Sequence, residues 1–191
     1  MSRRQTPRPD NVKLPRIWLM TDSRFGDDLL PAIKRLPPGS GVIFRHYDLT
    51  PEARRTLFRQ VRRLCRQRNH KLLLAGAEAE ARRWRADGYH ARAGRLRSIR
   101  MIRSAPVHNQ HELAEARRNG VDLVFVSPVF ETASHPSSRT LGRAGLLALA
   151  RMADFTKVIA LGGMDSNKAA FLNRKIVYGW AAIDAFRLNP V

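Results

Sequence analysis

A chain of 191 residues, 43% of them hydrophobic and 27% charged, is long enough to bury one sizeable core and points to a single domain. Its 35 Lys and Arg against 16 Asp and Glu give a net charge of +19, which favours anionic partners over acid-loving cationic ones. The single cysteine, Cys65, excludes an internal disulfide, and no apolar run approaches the roughly 20 residues that a membrane-spanning helix requires.

Taken in chain order, residues 1–14 form a polar, basic N-terminal arm with no apolar signal core, expected to be mobile. Residues 16–21 (RIWLMT) read as a first buried strand, 27–36 as a short helix stopped by Pro37-Pro38-Gly39, and 41–45 (GVIFR) as a second strand. Thr50-Pro51 opens the next helix, with Thr as N-cap and Pro at the first helical position. Ala53, Leu57, Val61, Leu64 and Cys65 then recur at helical spacing with arginines opposite, which places Cys65 on an apolar face as a buried, inert thiol. Residues 71–75 (KLLLA) are a third strand, 77–86 a helix, and 88–90 a short fourth strand. Residues 91–98 lack a helix period, so the fourth helix is expected to be abridged.

Residues 99–104 read as a fifth strand. Asn109 with Glu112 then makes a capping box ahead of a helix that Gly120 ends. A sixth strand at 122–126 leads through a polar loop, 131–142, to a helix at 143–153. Residues 157–161 are a seventh strand, Ser166 caps a short helix, 176–180 are an eighth strand, and 182–188 a last helix. Strict alternation of continuous apolar strands with helices implies a parallel sheet covered by helices, and eight repeats favour a closed (β/α)8 barrel over residues 15–191. In such a barrel, chemistry sits where the strands end.

Several strand ends carry suitable residues. Gly162-Gly163 follows the seventh strand and precedes a helix, a place where backbone N–H groups can meet a phosphate; the alternative is a plain turn. His108 lies just past the fifth strand and could move protons near neutral pH, or serve merely as a loop histidine. His46 and His90, at the ends of other strands, are further candidates, whereas His70 and His111 look structural. Arg45 closes the second strand and could clamp a phosphate with its planar fork; in so arginine-rich a chain it could equally be ordinary surface. The loop after the sixth strand offers Ser127, Thr132, Ser134 and His135 to an anionic ligand. Metal signatures are absent from the sequence: there is no Cys/His cluster and no HExxH, and the third strand ends in Ala75-Gly76 without an acid. Residues 54–103 hold sixteen Arg and Lys against Glu78, Glu80 and Asp87, a net of +13. That density reads as solvated helix faces, with nucleic-acid binding as the remote alternative, because no aromatic residues interleave with the cations.

The segments SPVFETASHP (127–136), ALGGM (160–164), VHN (107–109) and DGYH (87–90) together resemble the thiamine phosphate synthase/TenI superfamily, over residues 15 to 188. The resemblance implies a single (β/α)8 barrel acting in thiamine biosynthesis in the cytoplasm. Its synthases join a pyrimidine methyl diphosphate to a thiazole phosphate and release pyrophosphate, with magnesium on the diphosphate. Its TenI branch isomerises a thiazole carboxylate phosphate, or binds thiazole or thiamine phosphates without turnover. It also implies that Arg45 contacts diphosphate, that Gly162 and Gly163 hold phosphate, that Ser127, Thr132, Ser134 and His135 lie near substrate, that His108 carries the proton in the tautomerases, and that copies of the chain associate. The magnesium expected of the family lacks its ligands here. Ala75-Gly76-Ala77 stands where the family has N-D-R, and no acid follows the fourth strand in residues 91–95. Pro106 and Ala181 replace two serines of the pattern, and Tyr47 replaces a lysine. The synthase reaction is the first expectation, with the metal-independent tautomerase or binder as its alternative.

Overall fold

The computed structural model describes residues 13–95, 101–132 and 139–187. Eight parallel strands close into a barrel in sequential order, β1 (Ile17–Met20), β2 (Gly41–Phe44), β3 (Lys71–Ala75), β4 (Gly88–His90), β5 (Ile102–Val107), β6 (Leu123–Val126), β7 (Lys157–Ala160) and β8 (Gly179–Ala182), with β8 pairing back onto β1. The helices α1 (Leu29–Arg35), α2 (Pro51–Gln67), α3 (Glu78–Trp84), α4 (Gln110–Arg118), α5 (Gly142–Arg151) and α6 (Ser166–Ala170) lie in the connections. Among the described residues the fourth connection carries a 3-10 turn, Ala93–Arg95, where the helical period is missing.

Alternation along each strand sorts the side chains into two cores. Trp18, Met20, Ile43, Leu73, Ala75, Ile102, Leu123, Phe125, Ile159 and Ala181 fill the barrel interior. The residues between them, such as Leu19, Val42, Leu72, Val124 and Val158, pack outward against the helices. Gly41 makes room for the largest interior ring: a Cβ there would sit 2.2 Å from the Trp18 indole. Phe125 meets Trp18 edge to face at 5.6 Å and is fully buried. Phe125→Ala is expected to lower stability by about 3–5 kcal/mol, because the rigid barrel cannot collapse into the void. A urea unfolding series that finds less than about 1 kcal/mol would show that this layer is not packed as described.

Several elements differ from their sequence reading; the last helix, expected over 182–188, is a 3-10 turn, Asp184–Phe186, among the described residues. β5 starts three residues later than expected and runs through Pro106, because β4 ends opposite Ser104 and the missing Pro N–H has no strand to serve on that side. β8 likewise begins at Gly179; Val177 turns back to bond the Asn173 carbonyl before the chain reaches β1. The short helix α6 is capped by Asp165, which accepts from the Lys168 N–H, not by Ser166. The face of α2 is also rotated: its buried residues are Arg54, Phe58, Val61 and Cys65, while Ala53 is exposed. Cys65 is buried as expected, and burial pushes its thiol up to about 12. The arm was expected over residues 1–14; its residues 1–12 lie outside the described residues, and Leu14 is half-buried beneath Tyr178, whose hydroxyl donates to the Leu14 carbonyl at 2.6 Å.

Candidate active site

The inward positions of the strands continue past their last ladder residues onto one rim. That parity brings Asp22 after β1, Arg45 after β2, His90 at the end of β4, His108 after β5, Ser127 after β6 and Gly163 after β7 to the C-terminal mouth of the barrel. Ser127 is half-buried there, joined to Pro128 by a cis peptide bond. Thr132 is half-buried farther along the same loop, whereas Ser134 and His135 lie outside the described residues.

The β7 end is built for close approach. Gly162 and Gly163 have φ of +92° and +60°, a region that favours glycine. A Cβ on Gly163 would fall 2.2 Å from the Glu131 carbonyl oxygen, and one on Gly162 would fall 2.8 Å from Pro128 Cα. The loop after β6 is laid on this turn by the Val129 N–H, which donates to Leu161 O at 2.9 Å, and by Phe130 N–H, which donates to Gly162 O at 3.1 Å. Neither Gly162 nor Gly163 spends its own N–H on an acceptor among the described residues. Lys168 stands beside them, its Nζ donating to the Gly163 carbonyl at 2.6 Å. Two backbone donors left unspent among the described residues lie beside an ammonium that is itself 3.4 Å from Asp165 Oδ2, groups of the kind that can meet an anion without a metal.

His108 is half-exposed and its ring is held. Its Nδ1 lies 2.9 Å from a carboxylate oxygen of Glu112, which also accepts from the His108 backbone N–H at 2.7 Å. Since a carboxylate has no proton to give, Nδ1 carries the hydrogen, which leaves Nε2 as the ring nitrogen that faces a substrate. The capping box foreseen at Asn109 is present in its first half: the Asn109 side chain accepts from Glu112 N–H. Its second half is diverted, because Glu112 orients the histidine instead of returning to Asn109.

Arg45 reaches Asp22 at 3.9 Å, and Asp22 is also bonded by Arg24 at 2.7 Å. Arg24 continues to Asp184 at 3.1 Å, so the β1 and β8 rims are tied by one charged chain. Partial burial raises the Asp22 carboxyl, but the hydrogen bonds and charge of Arg24, with the charge of Arg45, hold it below the usual carboxylate range. His46, which precedes the exposed Tyr47, turns away from the mouth with a φ of +40° and bonds Thr21 Oγ1 through Nδ1 at 2.9 Å. Thr21 in turn accepts from the Arg45 backbone N–H.

His90 lies in the upper barrel interior, its Nδ1 2.9 Å from Ser104 Oγ and its ring edge-on to Phe125 at 5.3 Å. Burial, then the nearby Arg45 charge, lowers its pKa from the usual 6.5 to about 3. The unfolded chain therefore takes up this proton below pH 6.5 while the folded chain refuses it until about 3, so stability falls as pH drops through that window. His90→Gln should flatten the fall between pH 6 and 4 in urea midpoints; an unchanged slope would assign the acid lability elsewhere.

The sequence reading missed Arg54. Its guanidinium is buried behind β2 and β3, over the rings of Phe44 and Trp84. It donates to the Arg45 carbonyl at 3.0 Å and to the Ala75 carbonyl at 2.8 Å, with Glu80 at 3.3 Å as its counter-charge. The strand ends that carry the rim are thus pinned by a cation. That bears on magnesium, which the fold family implies. The β3 end offers only Ala75, Gly76 and Ala77, and a guanidinium already occupies the Ala75 carbonyl. Among the described residues no group of three or more His, Cys, Asp or Glu stands together. A divalent ion that wants several oxygen ligands and charge compensation does not fit this donor set. Two surface hollows, of about 650 Å³ between α1 and α2 and about 200 Å³ beside Leu36 and Phe186, lie away from the mouth.

Comparison with known proteins bears on this rim. The family model described as thiamine monophosphate synthase, TMP-TENI, matches residues 18–186. A protein of Aquifex aeolicus (strain VF5), provisionally named thiamine-phosphate synthase 2, is 26% identical, the match covering 92% of this chain and 99% of the relative. A solved structure of thiamine phosphate pyrophosphorylase from Pyrococcus furiosus superposes with a TM-score of 0.75 at 19% identity, covering 92% of this chain and 89% of that one. The thiamine phosphate pyrophosphorylase of Bacteroides thetaiotaomicron superposes with a TM-score of 0.57 at 16% identity, over 89% and 82%. At these identities the structural likeness shows the fold. No helix of the described residues is long and apolar enough to cross a membrane.

Proposed function

From the premise that this chain belongs to the thiamine monophosphate synthase family, we propose that it acts on a thiazole phosphate without a metal, as an isomerase of the TenI kind. The phosphate is received by the free N–H groups of Gly162 and Gly163, with Lys168 adding charge and Arg45 facing it across the mouth. The ring of the substrate then lies over the mouth, within reach of His108. His108 Nε2 takes a proton from one position of the thiazole and returns it to another, with Glu112 fixing the imidazole and stabilising its charged form. The observation that carries this reading is that a carboxylate-held histidine shares the rim with the unspent N–H groups of Gly162 and Gly163.

The coupling of pyrimidine methyl diphosphate to thiazole phosphate is the second reading. The half-buried Arg45, with the fork geometry that suits a diphosphate, favours it. Against it stands the charge of that leaving group, which one arginine already shared with Asp22 compensates poorly. Incubating the protein with thiazole carboxylate phosphate alone, and separately with thiazole phosphate and pyrimidine methyl diphosphate, each in EDTA and in Mg²⁺, separates the two. The proposal expects isomerisation in EDTA and no thiamine phosphate in either buffer. Thiamine phosphate formed above the no-enzyme control would replace it with the coupling reaction.

A further inference from the structure

The strongest charge of the molecule is used by neither reading. Arg55, Arg59, Arg62, Arg63 and Arg66 recur along α2 at helical spacings that place them on one side of it. At 1.5 Å per residue the ridge runs about 16 Å, with successive cations on average about 4 Å apart along the axis. Arg85, at the end of α3, joins it: its carbonyl accepts from Arg62 Nε at 3.1 Å. The acids that could neutralise the ridge are engaged elsewhere. Glu78 pairs with Arg82 at 2.7 Å, Glu80 with Arg54, and the only acid of α2 is Glu52 in its first turn. Asp87, whose charge partly offsets that of the ridge at Arg62, accepts from Leu72 N–H and lies 3.9 Å from Lys71. Arg55, Arg59, Arg63 and Arg66 make no ion pair or hydrogen bond among the described residues, and all four are exposed.

The ridge also repels itself. Partial burial, then the charges of Arg66 and Arg85, lowers the pKa of Arg62, and its Nη2 finds no acceptor. Evenly solvated surface arginines would be interspersed with acids, and here the acids are turned inward to Arg54 or along α3 to Arg82.

We infer that this face of α2 and α3 binds the phosphate backbone of nucleic acid without regard to sequence. Guanidinium forks match phosphate oxygens in pairs, and a row of cations about 4 Å apart along the axis comes close to the phosphate step of one strand, about 3.4 Å, so each arginine can meet its own phosphate. No aromatic ring lies exposed in the row to stack a base, so the contact reads backbone only. The ridge lies on the outer helix layer, so the inference stands whatever reaction the mouth performs.

The test is fluorescence anisotropy of a labelled random-sequence DNA duplex titrated with the full chain across a salt series. Five phosphate contacts predict a slope of log affinity on log salt of about −4.5, an affinity loss of about 500-fold between about 50 and 200 mM salt. Arg55→Gln/Arg59→Gln/Arg66→Gln should make that slope shallower by about 2.7. Arg118→Gln/Arg151→Gln/Arg174→Gln, which removes equally exposed charge from other parts of the surface, should leave it unchanged. Equal losses in both triple variants would reduce the effect to net charge and overturn the inference. So would binding weaker than about 10⁻⁴ M at physiological salt. A poly-glutamate peptide of matched charge that displaces the duplex at equal concentration would likewise overturn it, and would mark the ridge as a site for an acidic protein. The thermal unfolding midpoint of each variant, matched to the parent, shows that a lost slope is not lost fold.

Discussion

Gly163→Val is expected to abolish tight binding of thiazole phosphate while the barrel remains folded. Two effects add at this position. The backbone sits at φ +60°, where a β-branched residue is strained by about 1–3 kcal/mol. The new Cβ would also lie 2.2 Å from Glu131 O and 2.8 Å from Phe130 Cβ. Those are parts of the loop laid over the turn, so they can yield only by moving the loop off Gly162 and Gly163. The free turn relieves this strain by moving out of the binding geometry, and restoring it on binding costs about 5- to 150-fold in affinity. Gly26→Ala serves as the control. It shares a positive φ, +47°, but its Cβ would meet nothing within 4 Å. It should cost some stability and leave ligand affinity within about twofold. Equal affinity losses in the two variants would move the phosphate site away from β7.

His108→Ala should lower kcat for isomerisation by about 10²- to 10⁴-fold, the range over which a positioned proton carrier acts. The affinity for thiazole phosphate should change little, because Glu112 holds the His108 Nδ1 and the glycine donors stand two strands away, past the end of β7. Glu112→Gln should fall between: the amide can still accept from Nδ1–H but no longer balances an imidazolium, so kcat drops while KM stays near its parent value. Turnover that survives His108→Ala would assign proton transfer elsewhere, with His90 next in line by position and set against it by its pKa of about 3.

The barrel was legible because its signal is periodic. Eight apolar runs, each followed by a capped or helical segment, admit few topologies, and the N-caps at Thr50 and Asn109 bond as their spacing implies. The errors are of register. The reading of the fifth strand as 99–104 stops short of Pro106, yet β5 runs through it, because β4 ends opposite Ser104 and needs no N–H from residue 106. The reading of the eighth strand as 176–180 starts early: Val177 is buried, yet it lies before β8, which begins at Gly179 and pairs with β1 from Trp180.

Of the candidate site, the residues tied to strand ends came out together: Arg45, His108, Ser127, Gly162 and Gly163 share one rim. What spacing could not show was partnership. Arg54 has the look of one more surface arginine in the run Ala53-Arg54-Arg55, and only the fold reveals that it bonds the carbonyls of Arg45 and Ala75. One signal did point to it: on the helical period Arg54 falls in line with Phe58, Val61 and Cys65, the face that proves to be buried. The Asp22–Arg24–Asp184 chain joins residues 160 positions apart, and no local pattern announces it.

The most direct test of the account is calorimetric titration of thiazole phosphate into the parent chain and into Gly163→Val, each in excess EDTA and in Mg²⁺. A phosphate held by backbone donors, Lys168 and Arg45 predicts the same affinity for the parent chain in both buffers, and a loss of at least about 5-fold in the variant in both. Binding that appears only with Mg²⁺, and is indifferent to the glycine, would contradict it.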